Sequence, residues 1–468
     1  MSDTYNSGLL KTTAPGTVWS GVDVDNTRRI FGIGDNVASL SPAQSLFFTY
    51  LTKVAKQSTD DTVWKPLEYR HQWQRRNFTA AYQADDGATS GAGIKISVKY
   101  NYQGKLHATE TYSPIFLLAG QVLRIGGKAF KIADAAVLEY MLGVTGATND
   151  TISTDAKGKT NGDYALIPAA SLTAISDSAV FAVDGSEDGE GQVIGSQFGE
   201  GTQAPDGWRD ELSDTEFYAQ IFKTSVPLMS GSAMATKYRG FPNEWKRIYA
   251  EHVMAHKMDI ENAMLFGYGK YTNQDTRYSW GIVPAIETLG GKQYTMDYGA
   301  DDGGSTLPFT YDGLVDLMED YMAPESGNSG QKLVLTSRKV ISHMSKLGTD
   351  SFVAKSLGAS GTSPFRANLD VKPSKFAPVD VTSIGTSFGS LNFVAHPLFR
   401  GDMEDKAVCI DLSNVKYRPL AANGHNRDTF VETNIQDNST DGRKDQIITE
   451  AGLEVNLPET HALISFIA

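Results

Sequence analysis

One cysteine, Cys409, stands in 468 residues. It cannot close an intrachain disulfide, so a disulfide-stapled secreted scaffold is excluded. Within AVCIDL it reads as a small apolar residue of a buried strand. No apolar run is long enough to cross a bilayer as a helix. The opening MSDTYNSGLL lacks the basic-then-apolar order of a secretory signal. These absences predict a soluble protein made in a reducing compartment, with no membrane partner. Positive charge is also scarce: 42 Lys+Arg stand against 55 Asp+Glu, for a net charge of −13. Between Asp150 and Glu216 there are fourteen acidic and three basic residues, so this segment alone carries −11 and the remainder is nearly neutral. A nucleic-acid grip needs clustered positive charge. The nearest approach is YRHQWQRRNF, Tyr69 to Phe78, with three arginines among aromatics. That composition also suits a subunit contact or a surface strand, and it is read that way.

What is present is ample for a packed core: 40% of the residues are hydrophobic. Up to about Ser41 the chain is rich in Gly, Asn, Asp and Thr without a period, which predicts an extended arm. PAQSLFFTYLTKVAKQ, Pro42 to Gln57, has helical spacing, with Ser41 as N-cap and Pro42 at the first helical position. From about Ile94 to Val193 short apolar runs are broken by glycines, the pattern of a small β-domain. Within it, GVTGATNDTISTDAKGKTNGDY reads as loop and TAISDSAVFAVDG as two strands. Phe217 to Thr236 reads as an extended strand with Pro227 and Gly231 interrupting it. The longest helix signal runs from Pro242 to Phe266 and stops at Gly267. A second amphipathic helix is predicted over Thr310 to Met322, and a strand Lys332 to Leu335 followed by a helix Ser337 to Leu347. SLNFVAHPLF and AVCIDLSNVKYRPL read as strands. The final QIITEAGLEVNLPETHALISFIA reads as two or three strands with turns at Gly452 and Pro458. Strands and helices do not alternate strictly, so the fold class is α+β.

Five stretches are candidates for chemistry. His252 and His256 stand one helical turn apart in AEHVMAHKMDIENAMLFG. The zinc-protease order H-E-x-x-H is absent: Glu251 precedes the pair, and Val253 fills the place of the base. Both histidines fall inside the apolar stripe and are read as packed, hydrogen-bonded side chains. Gly385-Thr386-Ser387-Phe388-Gly389 fits G-x-S-x-G, but a strand follows where a nucleophile elbow needs a helix, so a hairpin turn fits better. DGSEDGEG, Asp184 to Gly191, places Asp184, Ser186, Asp188 and Gly189 at calcium-loop offsets. Its twelfth position is Gly195 rather than Glu, and the stretch reads as a solvated turn. FGIGDN and GYGK are short glycine turns without a nucleotide-site context. No catalytic, cofactor-binding or metal residue is assigned, and no cofactor is implied.

The order of longer segments carries more information. FYAQIFKTSVPLMSGSAMATKYRGFPNEWKRIYAEHVMAHKMDIENAMLFGYGK resembles the major capsid proteins of tailed double-stranded-DNA bacteriophages, the Hong Kong 97-type fold. Within that family it is most similar to a branch with a β-rich insertion before the long helix. The matching residues are Gln220-Ile221-Phe222, Ser230-Gly231-Ser232-Ala233, His256, Asp259-Ile260-Glu261 and Gly267. GIVPAI resembles the turn after the long helix. SPIFLLAGQVLRIGGKAFKI resembles a strand pair of the insertion, and TEAGLEVNLPETHALI the closing strand with its late Pro-x-x-His.

The resemblance implies an N-terminal arm with a short helix over 1–83 and an extended loop carrying the acidic β-domain over 84–238. It implies a peripheral domain over 239–309 whose spine helix spans 242–266, and an axial domain mainly over 310–388. Closing strands over 389–468 return to the peripheral domain. It implies hexamers and pentamers that tile an icosahedral shell around packaged double-stranded DNA, which lies on the inner face without sequence-specific binding. Portal, scaffolding and decoration or minor capsid proteins are the implied partners. No motif carries over the Lys–Asn cross-link of some members. Competing expectations are an encapsulin-like compartment shell of the same fold, another virion structural protein, and a hydrolase using Ser387 or the histidine pair.

Overall fold

The computed structural model describes residues 46–71, 76–83, 93–107, 109–134, 139–142, 151–153, 161–175, 189–205, 207–209, 211–238, 241, 243–273, 276–298, 307–323, 330–344, 374–376 and 379–467. It is a mixed α+β structure built on three main sheets.

The first sheet lies in the region read from sequence as a small β-domain. Its nine strands are all antiparallel. In spatial order they are Leu172–Ala174, Lys128–Ile132, Gln121–Ile125, Gly189–Ser196, Asn77–Gln83, Gly93–Ser97, Tyr164–Pro168, Glu139–Leu142 and Thr151–Ser153. GQVLRIGGKAFKI forms the expected hairpin, with both turn glycines, Gly126 and Gly127, at positive φ. Alternate residues such as Ile94, Ile96, Leu123, Ile125, Phe130 and Ile132 fill one core under the sheet. Two expectations change. Asn77–Gln83, placed in the arm by sequence, is the middle strand, because Phe78 and Ala80 complete this core. The stretch read as loop contains the strand Thr151–Ser153, which pairs with Glu139–Leu142. Asp184 to Asp188 of the calcium-like stretch, and most of TAISDSAVFAVDG, lie outside the described residues. Gly189 to Gly191 opens a strand that also includes Gly195.

The second sheet joins Gln220–Ser225, Gln446–Val455, Val415–Pro419 and Phe430–Glu432, with Gln446–Val455 pairing with the other three. Helix α1, Leu46–Val54, lies against it through Phe48, whose ring meets Tyr417 edge-on at 5.4 Å. Ser41 and Pro42, the expected start of that helix, are outside the described residues. The extended strand expected over Phe217 to Thr236 ends early, and Gly231–Ala235 forms helix α2. Ser230 caps it by accepting from Ala233 N–H at 3.3 Å, so SGSA is a helix start rather than strand. The long helix is α3, Glu244–Phe266, about 34 Å at 1.5 Å per residue. Asn243 is its N-cap, accepting from Lys246 N–H at 3.0 Å, so the helix begins two residues later than Pro242.

Helix α4, Ile282–Leu289, follows and ends on Gly290 at φ 97°, a left-handed stop. Helix α5, Tyr311–Tyr321, lies within the span predicted from Thr310 to Met322; Thr310 is its N-cap, accepting from Gly313 N–H.

The third sheet has eight strands. In order they are Leu307–Pro308, Lys292–Asp297, Ala462–Ile467, Lys406–Ile410, Gly330–Thr336, Gly389–Ala395, Val379–Gly385 and Ser374–Phe376, in mixed parallel and antiparallel pairing. Both faces are buried. Leu335, Val394, Val408 and Leu463 join a core with α1, α3 and α4. Val334, Phe393, Cys409 and Ile464 join a second core with Leu314, Leu317 and Tyr321 of α5. This explains why AVCI and LNFVA are continuous apolar runs. The segment 389–468 therefore does not stay together: its strands divide between the second and third sheets.

No turn forms at Gly452, where sequence placed one. The strand Gln446–Val455 runs straight through it. A Cβ at Gly452 would sit 2.4 Å from the carbonyl oxygen of Tyr218 and 2.6 Å from the Trp64 ring. The glycine serves close approach, not a turn. Gly452→Ala is expected to lower stability by about 2 kcal/mol. Gly385→Ala, with nothing within 4 Å of its Cβ, is expected to change little. Urea denaturation midpoints of the two unassembled subunits check this.

Candidate functional site: a buried polar seam under the long helix

Nine of the ten residues of Gln446–Val455 are buried. Thr449, Glu450 and Glu454 are among them. A carboxylate taken out of water needs a countercharge. Arg277 reaches Glu450 at 3.2 Å, and Arg427 donates to the other oxygen of the same carboxylate. Arg418 pairs with Glu454 at 2.7 Å, and Asn456 donates to it at 2.8 Å. Thr449 meets His256 Nε2 at 2.8 Å and Thr429 at 2.8 Å. The second nitrogen of His256, Nδ1, meets Thr224 at 2.8 Å. One histidine on α3 thus links two strands of the sheet. Burial pushes its pKa below the ordinary value.

The other helix histidine, His252, is half-buried and its Nδ1 meets the Ile248 carbonyl at 2.8 Å. The two histidines turn to different partners, as packed side chains do. Among the described residues no group of three or more His, Cys, Asp or Glu could hold a metal ion. Ser387 lies at the exposed tip of the hairpin between Val379–Gly385 and Gly389–Ala395, closed by Thr386 N–H donating to Gly389 at 2.8 Å. A strand, not a helix, follows it.

The residue that sequence reasoning missed on α3 is Glu261, fully buried. Leu398 N–H donates to His396 Nδ1 at 3.3 Å, so the ring proton is on Nε2, which donates to Glu261 Oε1 at 2.5 Å. The same oxygen accepts from Phe47 N–H at 3.1 Å. That amide lies in the first turn of α1 and has no partner within its own helix. Glu261 therefore joins α1, the long helix and the end of Gly389–Ala395.

Two further clusters flank the seam. Arg70, from the arginine-aromatic stretch, is buried and not a surface contact. It donates to Glu459 at 2.8 and 2.9 Å, to Glu68 at 2.8 Å and to Ser213 at 2.5 Å. Burial would lower its pKa, but the two carboxylates outweigh this and raise it. Residues 72–75 of that stretch are outside the described residues. Lys332, 2% exposed, holds Asp411 at 2.5 Å. Burial would raise Asp411, yet Lys332 and Ser413 hold it below the usual carboxylate range. His461, from the late Pro-x-x-His, accepts from Asp411 N–H at 3.1 Å and is pushed down to about 4 by burial.

No local signal marks Glu261, Glu450, Glu454 or Lys332 as buried, since Arg277 and Glu450 are far apart in the chain and so are His396 and Glu261. The arrangement ties elements to each other. Its ionisable groups hold strands and helices in one register. The chain belongs to the SU10 major capsid protein family, whose model matches residues 22–468. It is a major capsid protein, a structural component of the virion capsid.

No curated protein matches the sequence significantly. Among solved structures, the mature capsid of bacteriophage PhiM1 is similar at 14% identity over 58% of this chain and 78% of that one, with a TM-score of 0.36. The capsid of cyanophage A-1(L) is similar at 11% identity over 58% and 84%, with a TM-score of 0.38. The encapsulin complex SrpI from Synechococcus elongatus PCC 7942 is similar at 9% identity over 55% and 77%, with a TM-score of 0.35.

Two outcomes are expected. Glu261→Leu leaves the Phe47 and His396 N–H groups buried without an acceptor and should cost about 3 kcal/mol. Glu261→Gln, which keeps an acceptor oxygen, should cost distinctly less in the same denaturation series. The second outcome concerns pH. A histidine whose folded pKa lies below its unfolded value takes up protons first in the unfolded chain. Its contribution is present above about 6.5 and is lost as pH falls toward about 4. His256 acts in the same direction. His461→Asn keeps an acceptor and removes the titration. It should flatten the pH dependence of stability between pH 6.5 and 4 by up to about 3 kcal/mol, read from denaturation midpoints across that range.

Proposed function

We propose that this chain assembles as hexamers and pentamers into the icosahedral shell that encloses the double-stranded DNA of a tailed bacteriophage, using the Hong Kong 97-type architecture. The observation that carries the reading is membership of a major capsid protein family across residues 22–468. The mechanism is assembly: many individually weak contacts between copies act together in a closed lattice.

The parts take these roles. Residues 1–83 include the N-terminal arm and its short helix, 84–238 the extended loop and inserted β-domain. Residues 239–309 form the peripheral domain around the spine helix, 310–388 most of the axial domain, and 389–468 the closing strands. The middle strand Asn77–Gln83 extends the inserted domain back into the first of these ranges. The clusters at Glu261 and Arg70 support a subunit that moves as one body during assembly, because each ties distant segments together. The acidic stretch between Asp150 and Glu216 faces outward or between neighbours, since its −11 would repel DNA across the inner wall. Portal, scaffolding and decoration or minor capsid proteins complete the virion, and DNA is held without sequence-specific contacts.

The test is expression of the chain alone and with the scaffolding factor of its virion, followed by negative-stain electron microscopy. Closed shells or hexameric rings are expected. A chain that stays monomeric in both preparations would sink the proposal. Antibody access to the insertion on intact shells checks its placement; an epitope reached only after disruption would refute the outward orientation.

A further inference from the structure

The nine-stranded sheet has a core of its own. Every residue of that core lies between Phe78 and Val193, and the two larger cores of the rest of the subunit, its body, take none from that stretch. A unit with a separate core turns against its neighbour unless the join between them is large and apolar or something holds it.

The way out of the sheet is built to bend. The end of the sheet itself is tied down: Gln197 N–H donates to the Gly120 carbonyl at 2.9 Å, and the Phe198 ring fills the space of a Cβ on Gly120. Residues 199–205 are then all exposed. Gly201 stands at φ 76° with nothing within 4 Å of a Cβ, and Thr202 closes a local turn by donating to the Gly199 carbonyl at 2.9 Å. On the way in, Arg76 turns the chain at φ 37° just before the strand Asn77–Gln83. Below these joints the chain is fixed to the body. Ser213 lies opposite Glu68 on paired strands and accepts from Arg70 at 2.5 Å, and Arg70 also holds Glu459.

One turn of the nine-stranded unit reaches back to the body. It is stiff. Asn101 N–H donates to the Lys105 carbonyl at 3.0 Å, Gly104 N–H donates to the Asn101 carbonyl at 2.8 Å, and Asn101 Oδ1 accepts from the N–H groups of Gln103 and Lys105 at 3.0 Å each. Its tip touches two places outside the unit. Gln103 Nε2 donates to the Leu212 carbonyl at 3.4 Å. The Lys105 stem crosses the end of α4, where a Cβ on Gly290 would lie 3.2 Å from Lys105 Cε. A helix C-terminus favours a cation beside it. Burial pulls the Lys105 amine below its ordinary pKa, while the carboxylates of Glu459 and Glu68 act to raise it and Arg70 to lower it. The tip therefore sits beside the Arg70 cluster that anchors the joints.

We propose that the turn 101–106 is a catch. Closed, it fixes the nine-stranded unit against the body, so that the subunit moves as one. Released, it lets the unit swing on its connectors with its fold intact. The catch belongs to the single subunit and does not depend on what an assembled shell encloses.

The test reads the distance between the two units in the full, unassembled chain. Ile194, 58% exposed on the nine-stranded sheet, and Val54, 66% exposed at the end of α1, are replaced by cysteine and spin-labelled. Cys409 is buried, with its thiol pushed up to about 12, and takes no label. Pulsed electron paramagnetic resonance is expected to give one narrow distance in the Ile194→Cys, Val54→Cys chain. Adding Gln103→Ala and Lys105→Ala should broaden that distance or add a second one. In the same variant, hydrogen exchange should quicken in peptides holding 101–106 and 199–205. The strands Gln121–Ile125 and Gly330–Thr336, one from each unit, should keep their protection.

A distance left unchanged by the two tip substitutions overturns the catch. A distance already broad before them does so too, because nothing would then be held. Protection lost through either sheet along with the change in distance also overturns it, since the join would be part of one cooperative fold. The shell reading stands or falls separately, by electron microscopy.

Discussion

The constraint on which the rest depends is the burial of the strand Gln446–Val455 with its charges. Glu450 and Glu454 cannot lose water without arginines beside them, and those arginines arrive on three separate segments: Arg277 after α3, Arg418 on Val415–Pro419 and Arg427 beyond it. The strand pairs with Gln220–Ser225 on one side, and α3 reaches it through His256 and Thr449. Moving any of these elements would strand a carboxylate or a hydroxyl in a medium that cannot solvate it. The polar groups thereby specify position, while the apolar core around Tyr417, Leu453 and Val455 supplies the main driving force.

The same logic repeats where the chain crosses between parts. Leu457 holds a left-handed conformation at φ 47°, costly for a branched side chain, and its N–H donates to Glu68 at 2.7 Å. Glu68 is in turn bound by Arg70, which also grips Glu459 and Ser213. One guanidinium therefore joins the segment leading into the nine-stranded sheet, the segment leaving it and the turn at Glu459. The third sheet is held differently. With both faces buried, its register comes from which side chains alternate into the α5 core and which into the α3 and α4 core.

A major capsid protein benefits from this division of labour. Inter-subunit contacts in a shell can each be weak only if the subunit does not deform to avoid them. Pairs such as Glu261–His396 and Lys332–Asp411 stiffen the joints between helices and sheets without enlarging the core.

Periodicity in the sequence was enough for the long helix, α5, the hairpin around Gly126 and Gly127, and the buried strands AVCI and LNFVA, because each depends on a spacing within about twenty residues. The order of short motifs was enough to indicate the family. Tertiary structure decided the rest. SGSA, read as strand, is a helix start because Ser230 caps the Ala233 amide. Gly452 looked like a turn because the Tyr218 carbonyl that demands a missing Cβ lies on a strand far away in the chain. Glu261 was named only as a residue of the family motif; the arrival of Phe47 from one end and His396 from the other makes it an interior one. A local pattern reports which faces are apolar. Whether a charged side chain is buried depends on partners that chain folding brings from hundreds of residues away, and no local pattern encodes them.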